Sequence, residues 1–106
     1  MEISFSEPKL ADLYEGRKVS DKNFRFPSEL VKQYIKTVKK LESVEKIEQL
    51  YQFHSLSYEK LKGNLKGISS VRINKQYRLL FKEVLADEEP FEVEVLEIME
   101  ISNHYN

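Results

Sequence analysis

Apolar residues recur at helical spacing in the first half of the chain. After Pro27-Ser28 they return every three to four residues, as Leu30, Val31, Tyr34, Ile35, Val38 and Leu41. Because an α-helix turns once every ~3.6 residues, this spacing predicts an amphipathic helix over residues 28–41. The same spacing from Val44 to His54, with Ser43 as the N-cap, predicts a second helix and therefore a helical hairpin.

Two short elements are predicted before this hairpin. Residues 2–5 alternate polar and apolar side chains, which is typical of a strand. Pro8 suits the first turn of a helix, and the turn leads to Leu10, Leu13 and Tyr14. Residues 15–26 contain several charges and no clear period, so they are predicted to form a loop.

From Leu56 onward the apolar period changes to two, which predicts a sheet. Strands are predicted at residues 58–61, 68–73, 76–84 and 91–99. Their connections are predicted to be a turn at 63–67, a tight two-residue turn at Asn74-Lys75 and an acidic loop at 86–90. Residues 100–106 are predicted to be a polar tail.

The third of these strands has two unlike faces. Tyr77, Leu79 and Phe81 share one face, and Arg78, Leu80 and Lys82 share the other. Short turns join antiparallel strands. The sequence therefore predicts an α+β fold in which a helical hairpin packs on one face of an antiparallel sheet.

Length and composition limit the classes of protein. A chain of 106 residues is enough for one domain and too short for two independently cored ones, so residues 1–106 are expected to be a single domain. The lack of cysteine excludes disulfides, thiolate metal sites and cysteine nucleophiles. No apolar run approaches the roughly 18 residues of a membrane helix, so a soluble cytoplasmic protein is expected.

The net charge of -1 conceals a separation of charge along the chain. Residues 60–82 contain seven Lys and Arg and no acidic residue, whereas residues 83–106 contain eight Asp and Glu and no Lys or Arg. A basic stretch of this kind is typical of surfaces that bind polyanions. The alternative is that the two segments are neighbouring strands whose charges pair across the sheet.

Arg72 and Arg78 are the most informative charges, because a tight turn between adjacent strands would bring them to one face. Paired guanidiniums can hold a phosphate bidentately. Lys62, one strand earlier, would complete a cluster of three cations. Since like charges destabilise a sheet, either nearby Glu59 and Glu94 or a substrate phosphate must compensate them.

Other familiar motifs are excluded. The glycines at 63 and 67 are not followed by Gly-Lys-Ser/Thr, so they fit a hairpin turn and not a phosphate-binding loop. His54 and His104 have no second ligand at metal-binding spacing, so no metal site is expected. His54 is expected to cap a helix end or to lie half-buried there, and His104 falls in the predicted tail.

A longer pattern extends from Tyr58 to Phe81. It consists of Leu61-Lys62-Gly63, Gly67, Ser70-Val71-Arg72-Ile73-Asn74 and Gln76-Tyr77-Arg78-Leu79-Leu80-Phe81. This pattern closely resembles the HigB branch of the RelE/ParE toxin superfamily, and the order of predicted elements also fits that family. The resemblance implies the toxin of a type II toxin–antitoxin pair, a ribosome-dependent endoribonuclease that cleaves mRNA during translation. It also implies a mechanism without metal or cofactor and a small helix-turn-helix antitoxin of the HigA type.

The resemblance assigns site residues as well. Lys62, Arg72 and Arg78 match basic positions around the family's concave RNA-binding face. Their role would be to position a phosphate and to stabilise the charge of a pentacoordinate transition state. The RNA-binding residues expected in this chain are Lys60, Lys62, Lys66, Arg72, Lys75 and Arg78.

Two departures from the family pattern concern proton transfer. Many HigB-like toxins have a histidine three residues before the Lys of Leu-Lys-Gly, where this chain has Glu59, which can act as a general base. The family's tail commonly ends Asp-Tyr-His, whereas this chain ends Asn103-His104-Tyr105-Asn106. The expected catalytic residues are therefore His104, Tyr105 and Glu59, which would transfer protons, together with Arg78.

Two other functions stay open from the sequence. The first is a non-enzymatic inhibitor that, like the ParE branch, acts on DNA gyrase by protein contact. The second is a catalytically decayed module that only binds its antitoxin. For the leading hypothesis the expected partners are a HigA-like antitoxin, the ribosome and mRNA, with a toxin–antitoxin heterotetramer as the assembly to test.

Overall fold

The computed structural model describes residues 1–103. Its strands are β1 (Glu2–Phe5), β2 (Glu59–Lys60), β3 (Ile68–Arg72), β4 (Tyr77–Leu85) and β5 (Val93–Asn103), and its α-helices are α1 (Pro8–Tyr14) and α2 (Ser28–Ser43). Short 3-10 helices span Lys22–Phe24, Ile47–Gln52, His54–Leu56 and Gly63–Leu65. Both α-helices precede the main run of strands, as the change of apolar period predicts.

The five strands form one sheet in the order β1-β5-β4-β3-β2. Strands β2 to β5 pair antiparallel, whereas β1 runs parallel to β5 at the edge. A parallel pair needs a long crossover, and here both α-helices and the other strands lie between β1 and β5 along the chain. The predicted α+β class is confirmed, and the parallel edge strand is a feature that the short turns did not predict.

Helix α2 and the inner face of the sheet share one hydrophobic core. The helix contributes Leu30, Tyr34, Val38 and Leu41, and the sheet contributes Val71, Leu79, Phe81, Leu96 and Ile98. The lysines of α2 lie off this stripe and are exposed. The predicted stripe in residues 28–41 is therefore the side of the helix that faces the core.

One buried hydrogen bond joins the two α-helices. The Tyr34 hydroxyl of α2 donates to the Leu10 carbonyl oxygen of α1 at 2.7 Å, and Tyr34 is fully buried. Burial raises the pKa of the Tyr34 phenol well above its usual range. Tyr34 therefore fixes how α1 lies on α2 while it fills the core.

Residues 44–54, which the sequence predicts to be a second α-helix, do not form one. Ser43 does not cap a new helix, because it is the last residue of α2 and its hydroxyl donates to the Lys40 carbonyl at 2.7 Å. The chain is extended at Val44 and then forms the 3-10 helices Ile47–Gln52 and His54–Leu56. Buried residues three apart suit a 3-10 helix, which has ~3 residues per turn, so the spacing did not require an α-helix. The helix that packs beside α2 is α1.

The turn between β3 and β4 also differs from its prediction. It spans residues 73–76 and is not a two-residue turn at Asn74-Lys75. The Asn74 side-chain oxygen accepts hydrogen bonds from the backbone N–H groups of Gln76 and Tyr77, at 2.9 and 2.8 Å. These bonds stabilise a wider turn, because asparagine can replace a backbone acceptor.

Residues 100–103 are part of β5 and not of a polar tail. The register shifts at Met99, since Leu80 lies opposite Glu100 while Phe81 lies opposite Ile98. This β-bulge returns Ile101 to the core three residues after Ile98. The bulge breaks the period of two, which is why the sequence pattern placed the end of the strand too early.

None of the helices in residues 1–103 combines the length and the apolar character needed to cross a bilayer.

Replacing Tyr34 with phenylalanine tests the bond between the helices. Tyr34→Phe keeps the ring but removes the hydroxyl that Leu10 accepts from. We expect the free energy of unfolding to fall by about 1 kcal/mol at neutral pH, measured by urea denaturation. Tyr51→Phe is the matched control, because Tyr51 is exposed; an equal loss in both variants would contradict the role given to Tyr34.

The cost of Tyr34→Phe should also depend on pH. Because the folded state raises the pKa of Tyr34, the stabilisation is complete below the phenol pKa of the unfolded chain, ~10, and is lost as the pH rises towards the folded value. The difference between wild type and Tyr34→Phe should therefore shrink in alkaline solution.

Candidate functional site

The outer face of the sheet, opposite the helices, carries the two arginines that the sequence singled out. Arg72 and Arg78 lie directly opposite each other in the β3–β4 ladder. Leu79, beside Arg78, points into the core because side chains alternate along a strand. The two guanidiniums are thus brought to one surface, as predicted, but the wider turn at residues 73–76 is what brings them there. A two-residue turn at Asn74-Lys75 would pair Arg72 with Tyr77 and place the two arginines on opposite faces.

Arg78 is held by three neighbours although it carries a charge. Only 7% of the residue is exposed. Its Nε donates to the Ser70 hydroxyl oxygen, and its Nη2 donates to the Ser57 carbonyl oxygen at 2.7 Å. The Glu59 Oε1 atom lies 3.7 Å from the same Nη2. A buried cation needs partners of this kind.

The surroundings of Arg78 lower the pKa of its guanidinium. The largest cause is loss of solvation on burial; Glu59 opposes it, and the neighbouring charge of Arg72 adds to it. Arginine nevertheless stays protonated in proteins. Arg78 is therefore a cation whose charge is only partly compensated, which is the state that binds a phosphate group.

A cleft of about 360 Å³ opens beside Arg78. One set of its lining residues is apolar and consists of Leu61, Leu65 and Leu80, and the other is polar and consists of Glu59, Ser70, Ser102 and Asn103. Apolar walls with a few convergent polar groups are typical of ligand sites. The cleft offers a cation for a phosphate and apolar surface for the rest of a ligand.

The other predicted RNA-binding residues divide into two groups. Lys62 and Lys66 flank the 3-10 helix Gly63–Leu65, next to the leucines of the cleft, and both are exposed. Lys75 is exposed in the turn before β4. Lys60 lies apart from Arg78: its Nζ is 3.8 Å from Glu83 Oε1, and Glu83 also accepts from the hydroxyls of Tyr58 and Ser69.

Charge pairing across the sheet is incomplete. Lys82 of β4 lies opposite Glu97 of β5. This is the arrangement expected if the basic and acidic segments are neighbouring strands whose charges pair across the sheet. Arg78, however, lies opposite Ser102. Within residues 1–103, no ion pair involves Lys62, Lys66, Arg72 or Lys75. The basic surface beside the cleft is therefore not neutralised by the acidic segment.

The predicted counter-ions are not equivalent. Glu59 does approach Arg78, but Glu94 lies near the other end of β5, between positions paired with Leu85 and Val84. Glu94 and Arg78 are consequently at opposite ends of the β4–β5 ladder, so Glu94 is too far away to compensate the charge of Arg78. The prediction for Glu94 is wrong because sequence order does not give the register.

The two histidines are placed differently from each other. His54 starts a 3-10 helix and is exposed, so it is neither at the end of an α-helix nor half-buried as predicted. His104 and Tyr105 lie outside the described residues, and Asn103, which precedes them, lines the cleft. In residues 1–103 no three His, Asp or Glu side chains come together to hold a metal ion.

Sequence reasoning missed Ser57, Ser70, Ser102 and Asn103. Ser70 shares the face of Arg72 by alternation, so the strand period could have identified it. Ser57 contributes its backbone carbonyl. Every residue has this group, so the sequence contains no signal for it. Ser102 and Asn103 were placed in a tail, and only the bulge in β5 brings them to the cleft.

Two sequence comparisons with known proteins point to the same family. Residues 3–96 match a family described as the RelE-like toxin of type II toxin–antitoxin system HigB. Toxin HigB-1 of Vibrio cholerae serotype O1 is 34% identical over 85 residues, which cover 79% of this chain and 85% of that protein.

Solved structures of low sequence identity share the fold. The YoeB–YefM complex of Staphylococcus aureus aligns with a TM-score of 0.55 at 24% identity, over 99% of this chain and 98% of that one. YafQ of Escherichia coli strain BL21(DE3) aligns with a TM-score of 0.51 at 14% identity, over 96% and 91%. The family match and the sequence relative span most of the chain, so this protein belongs to the HigB-like family of RelE-like toxins of type II toxin–antitoxin systems.

Proposed function

We propose that this HigB-like toxin is a ribosome-dependent endoribonuclease that cleaves mRNA during translation. The observation that carries the proposal is the pair of Arg72 and Arg78, opposed across two strands beside a cleft that Glu59 borders. The exposed Lys62, Lys66 and Lys75 extend the positive charge from this pair. A surface of this kind binds an RNA backbone through its phosphates.

Cleavage would start from the RNA's own 2′-hydroxyl. Its oxygen attacks the adjacent phosphorus while a base takes its proton, and the bond from phosphorus to the 5′ oxygen breaks. The leaving oxygen takes a proton from an acid, so the products are a 2′,3′-cyclic phosphate and a 5′-hydroxyl. Arg72 and Arg78 would stabilise the pentacoordinate phosphorane without a metal ion.

We further propose which residues transfer the protons. Glu59 lines the cleft, its side chain is 59% exposed, and it lies 3.7 Å from Arg78 Nη2, so it can reach a group bound to that arginine. We assign it as the general base. His104 and Tyr105 follow Asn103, the last described residue of β5, and we assign His104 as the general acid with Tyr105 as its alternative.

Arginine variants test the phosphate site. Arg72→Ala removes an exposed side chain, and Arg78→Lys keeps the buried charge but not the fork of donors. Removing one charge-stabilising donor costs about 10²–10³-fold in rate, so we expect such losses in both variants. The measurement is primer extension on translated mRNAs after induced expression, with Lys39→Ala on the exposed side of α2 as the control.

The same experiment separates the alternatives. Cleavage equal to wild type in both arginine variants would contradict the phosphate site. Growth arrest without mRNA cleavage in the wild type would favour another target such as gyrase. Neither arrest nor cleavage, with antitoxin binding retained, would indicate a decayed module.

Glu59→Gln and His104→Ala test the proton transfers. Loss of a general acid or base costs about 10²–10⁴-fold, and we expect each variant to lose that much cleavage while it still binds RNA. Cleavage is measured in a reconstituted translation reaction, and binding to the same mRNA in parallel. Wild-type cleavage in either variant would contradict the role assigned to that residue.

For the antitoxin we propose a different surface, a groove of about 730 Å³ beside α1 and the start of α2. Its apolar lining residues are Leu13, Val19, Phe24, Phe26 and Val31, and its basic ones are Arg17, Lys18, Arg25 and Lys32. Within the described part of the chain, Lys18, Arg25 and Lys32 form no ion pair, and no acidic residue lines the groove. Charge complementarity therefore favours an acidic, amphipathic segment of the antitoxin.

We further propose that this antitoxin is a HigA-like helix-turn-helix protein and that the complex is a heterotetramer. A YoeB–YefM toxin–antitoxin complex of Staphylococcus aureus is described as heterotetrameric, which supports testing that stoichiometry here.

Charge reversal tests the groove. Lys18→Glu combined with Arg25→Glu should weaken binding of the purified antitoxin about tenfold or more at low salt and reduce the salt dependence of the affinity. Lys39→Glu, on the exposed side of α2, is the matched control. Unchanged antitoxin affinity would contradict the surface, and reduced mRNA cleavage with unchanged affinity would indicate that RNA occupies it.

A further inference from the structure

We propose that the Ser57 carbonyl and the Ser70 hydroxyl form a clamp that orients the Arg78 guanidinium towards the cleft. The term clamp is used below for these two groups. The inference rests on the proposed function, because Arg78 has a phosphate to position only if the protein binds RNA. Neither serine is assigned any contact with substrate, so both are positioning residues.

The clamp contacts two different nitrogens of Arg78. Ser70 accepts from Nε, and Ser57 accepts from Nη2 at 2.7 Å. Because a guanidinium is planar, two contacts on different nitrogens fix both the position and the tilt of the plane. The clamp occupies two of the five N–H donors of Arg78 and engages none of the other three.

Ser57 has a left-handed backbone conformation, which is uncommon for a residue other than glycine. Its φ is 46° and its ψ is 50°, and within residues 1–103 it is the one residue other than glycine with a positive φ. It ends the 3-10 helix His54–Leu56, where its N–H donates to the His54 carbonyl at 3.2 Å. Non-glycine residues in this region often mark functional sites. Here the conformation accompanies a carbonyl that accepts from Arg78.

Ser70 gives a matched comparison with its neighbour. Ser69 and Ser70 are both buried in β3, and each hydroxyl makes one side-chain hydrogen bond. The Ser70 hydroxyl meets Arg78 on the outer face, whereas the Ser69 hydroxyl donates to Glu83 at 2.6 Å. Removing either hydroxyl makes the same chemical change to the strand, but only one of them touches the arginine.

The clamp also explains how the charge of Arg78 is accommodated in a buried position beside Arg72. Burial and the charge of Arg72 act against the guanidinium, while Glu59 is 3.7 Å away and its side chain is largely exposed. The serine oxygens are therefore its nearest acceptors. They are neutral, so they hold the cation without cancelling its charge, and the charge stays available to a phosphate.

The first test compares Ser70→Ala with Ser69→Ala on mRNA-programmed ribosomes. A misplaced catalytic group can cost about 10²-fold in rate, so we expect kcat of Ser70→Ala to fall by about ten- to a hundredfold. KM should change by less than about threefold, because the charge that binds RNA is still present. Ser69→Ala should retain the kcat of the wild type, or lose much less of it.

A series at Ser57 tests the backbone contact. Ser57→Gly and Ser57→Asn permit a positive φ and should keep the wild-type kcat, because the carbonyl is unchanged. Ser57→Val disfavours this conformation and should lower kcat. If Ser57→Val does not fold, Ser57→Ala is the milder substitution. The kcat values of Ser57→Gly and Ser57→Asn should then still exceed that of Ser57→Ala.

A readout independent of activity comes from the Arg78 Nε–H signal in ¹H–¹⁵N NMR spectra. A buried, hydrogen-bonded Nε–H should exchange slowly with water in the wild type and in Ser69→Ala. It should shift and exchange faster in Ser70→Ala. This result would stand even if the wild type cleaved no mRNA, so a failure of the proposed function is distinguishable from a failure of the clamp.

Two results would overturn the inference. One is an Nε–H signal in Ser70→Ala that matches the wild type. The other is a kcat in Ser70→Ala no lower than in Ser69→Ala, in a protein whose wild type cleaves mRNA.

Discussion

Strand β4 couples the core of this toxin to its site, because it is paired on both edges and its first half is largely buried. Leu79 and Phe81 point inward and are fully buried, while Arg78 points outward and is nearly so. Side chains alternate along a strand, so the packing of the inner residues determines which face Arg78 occupies. A slip of one residue would bury the guanidinium in the core. The apolar core is therefore also what orients the cationic site.

The site combines one buried, hydrogen-bonded arginine with two exposed charged side chains at its rim. Arg78 is fixed by neutral oxygens on β3 and on the segment before β2, whereas Arg72 and Glu59 are exposed. This division suits catalysis of phosphoryl transfer, in which stabilising charge must be in place before the reaction begins. Long exposed side chains can still adjust to the RNA that we propose as substrate. The Glu59 carboxylate that compensates the charge of Arg78 is exposed. A bound phosphate could therefore replace it as the counter-ion of Arg78.

The groove beside α1 that we propose for the antitoxin and the cleft beside Arg78 are connected through aromatic packing. Phe26, which lines the groove, makes an edge-to-face contact with Tyr77 at a ring-centroid distance of 6.2 Å. Tyr77 is the first residue of β4 and precedes Arg78. The Asn74 amide of the adjacent turn also donates to the Gln33 side chain of α2 at 2.7 Å. The helices and the site strands therefore form one packed unit.

The sequence by itself determined the α+β class, most of the extent of α2 and the two faces of β4. These features depend on periodicity, which is a local property of a chain. Only the tertiary structure decided that Ile47–Gln52 and His54–Leu56 form 3-10 helices and that β5 continues through a bulge at Met99. It also decided that the wider β3–β4 turn pairs Arg72 with Arg78, and that Lys60 and Glu94 lie away from Arg78. It also brought the Ser57 carbonyl to the guanidinium. Strand register and backbone direction arise from packing between distant segments, so no local pattern encodes them.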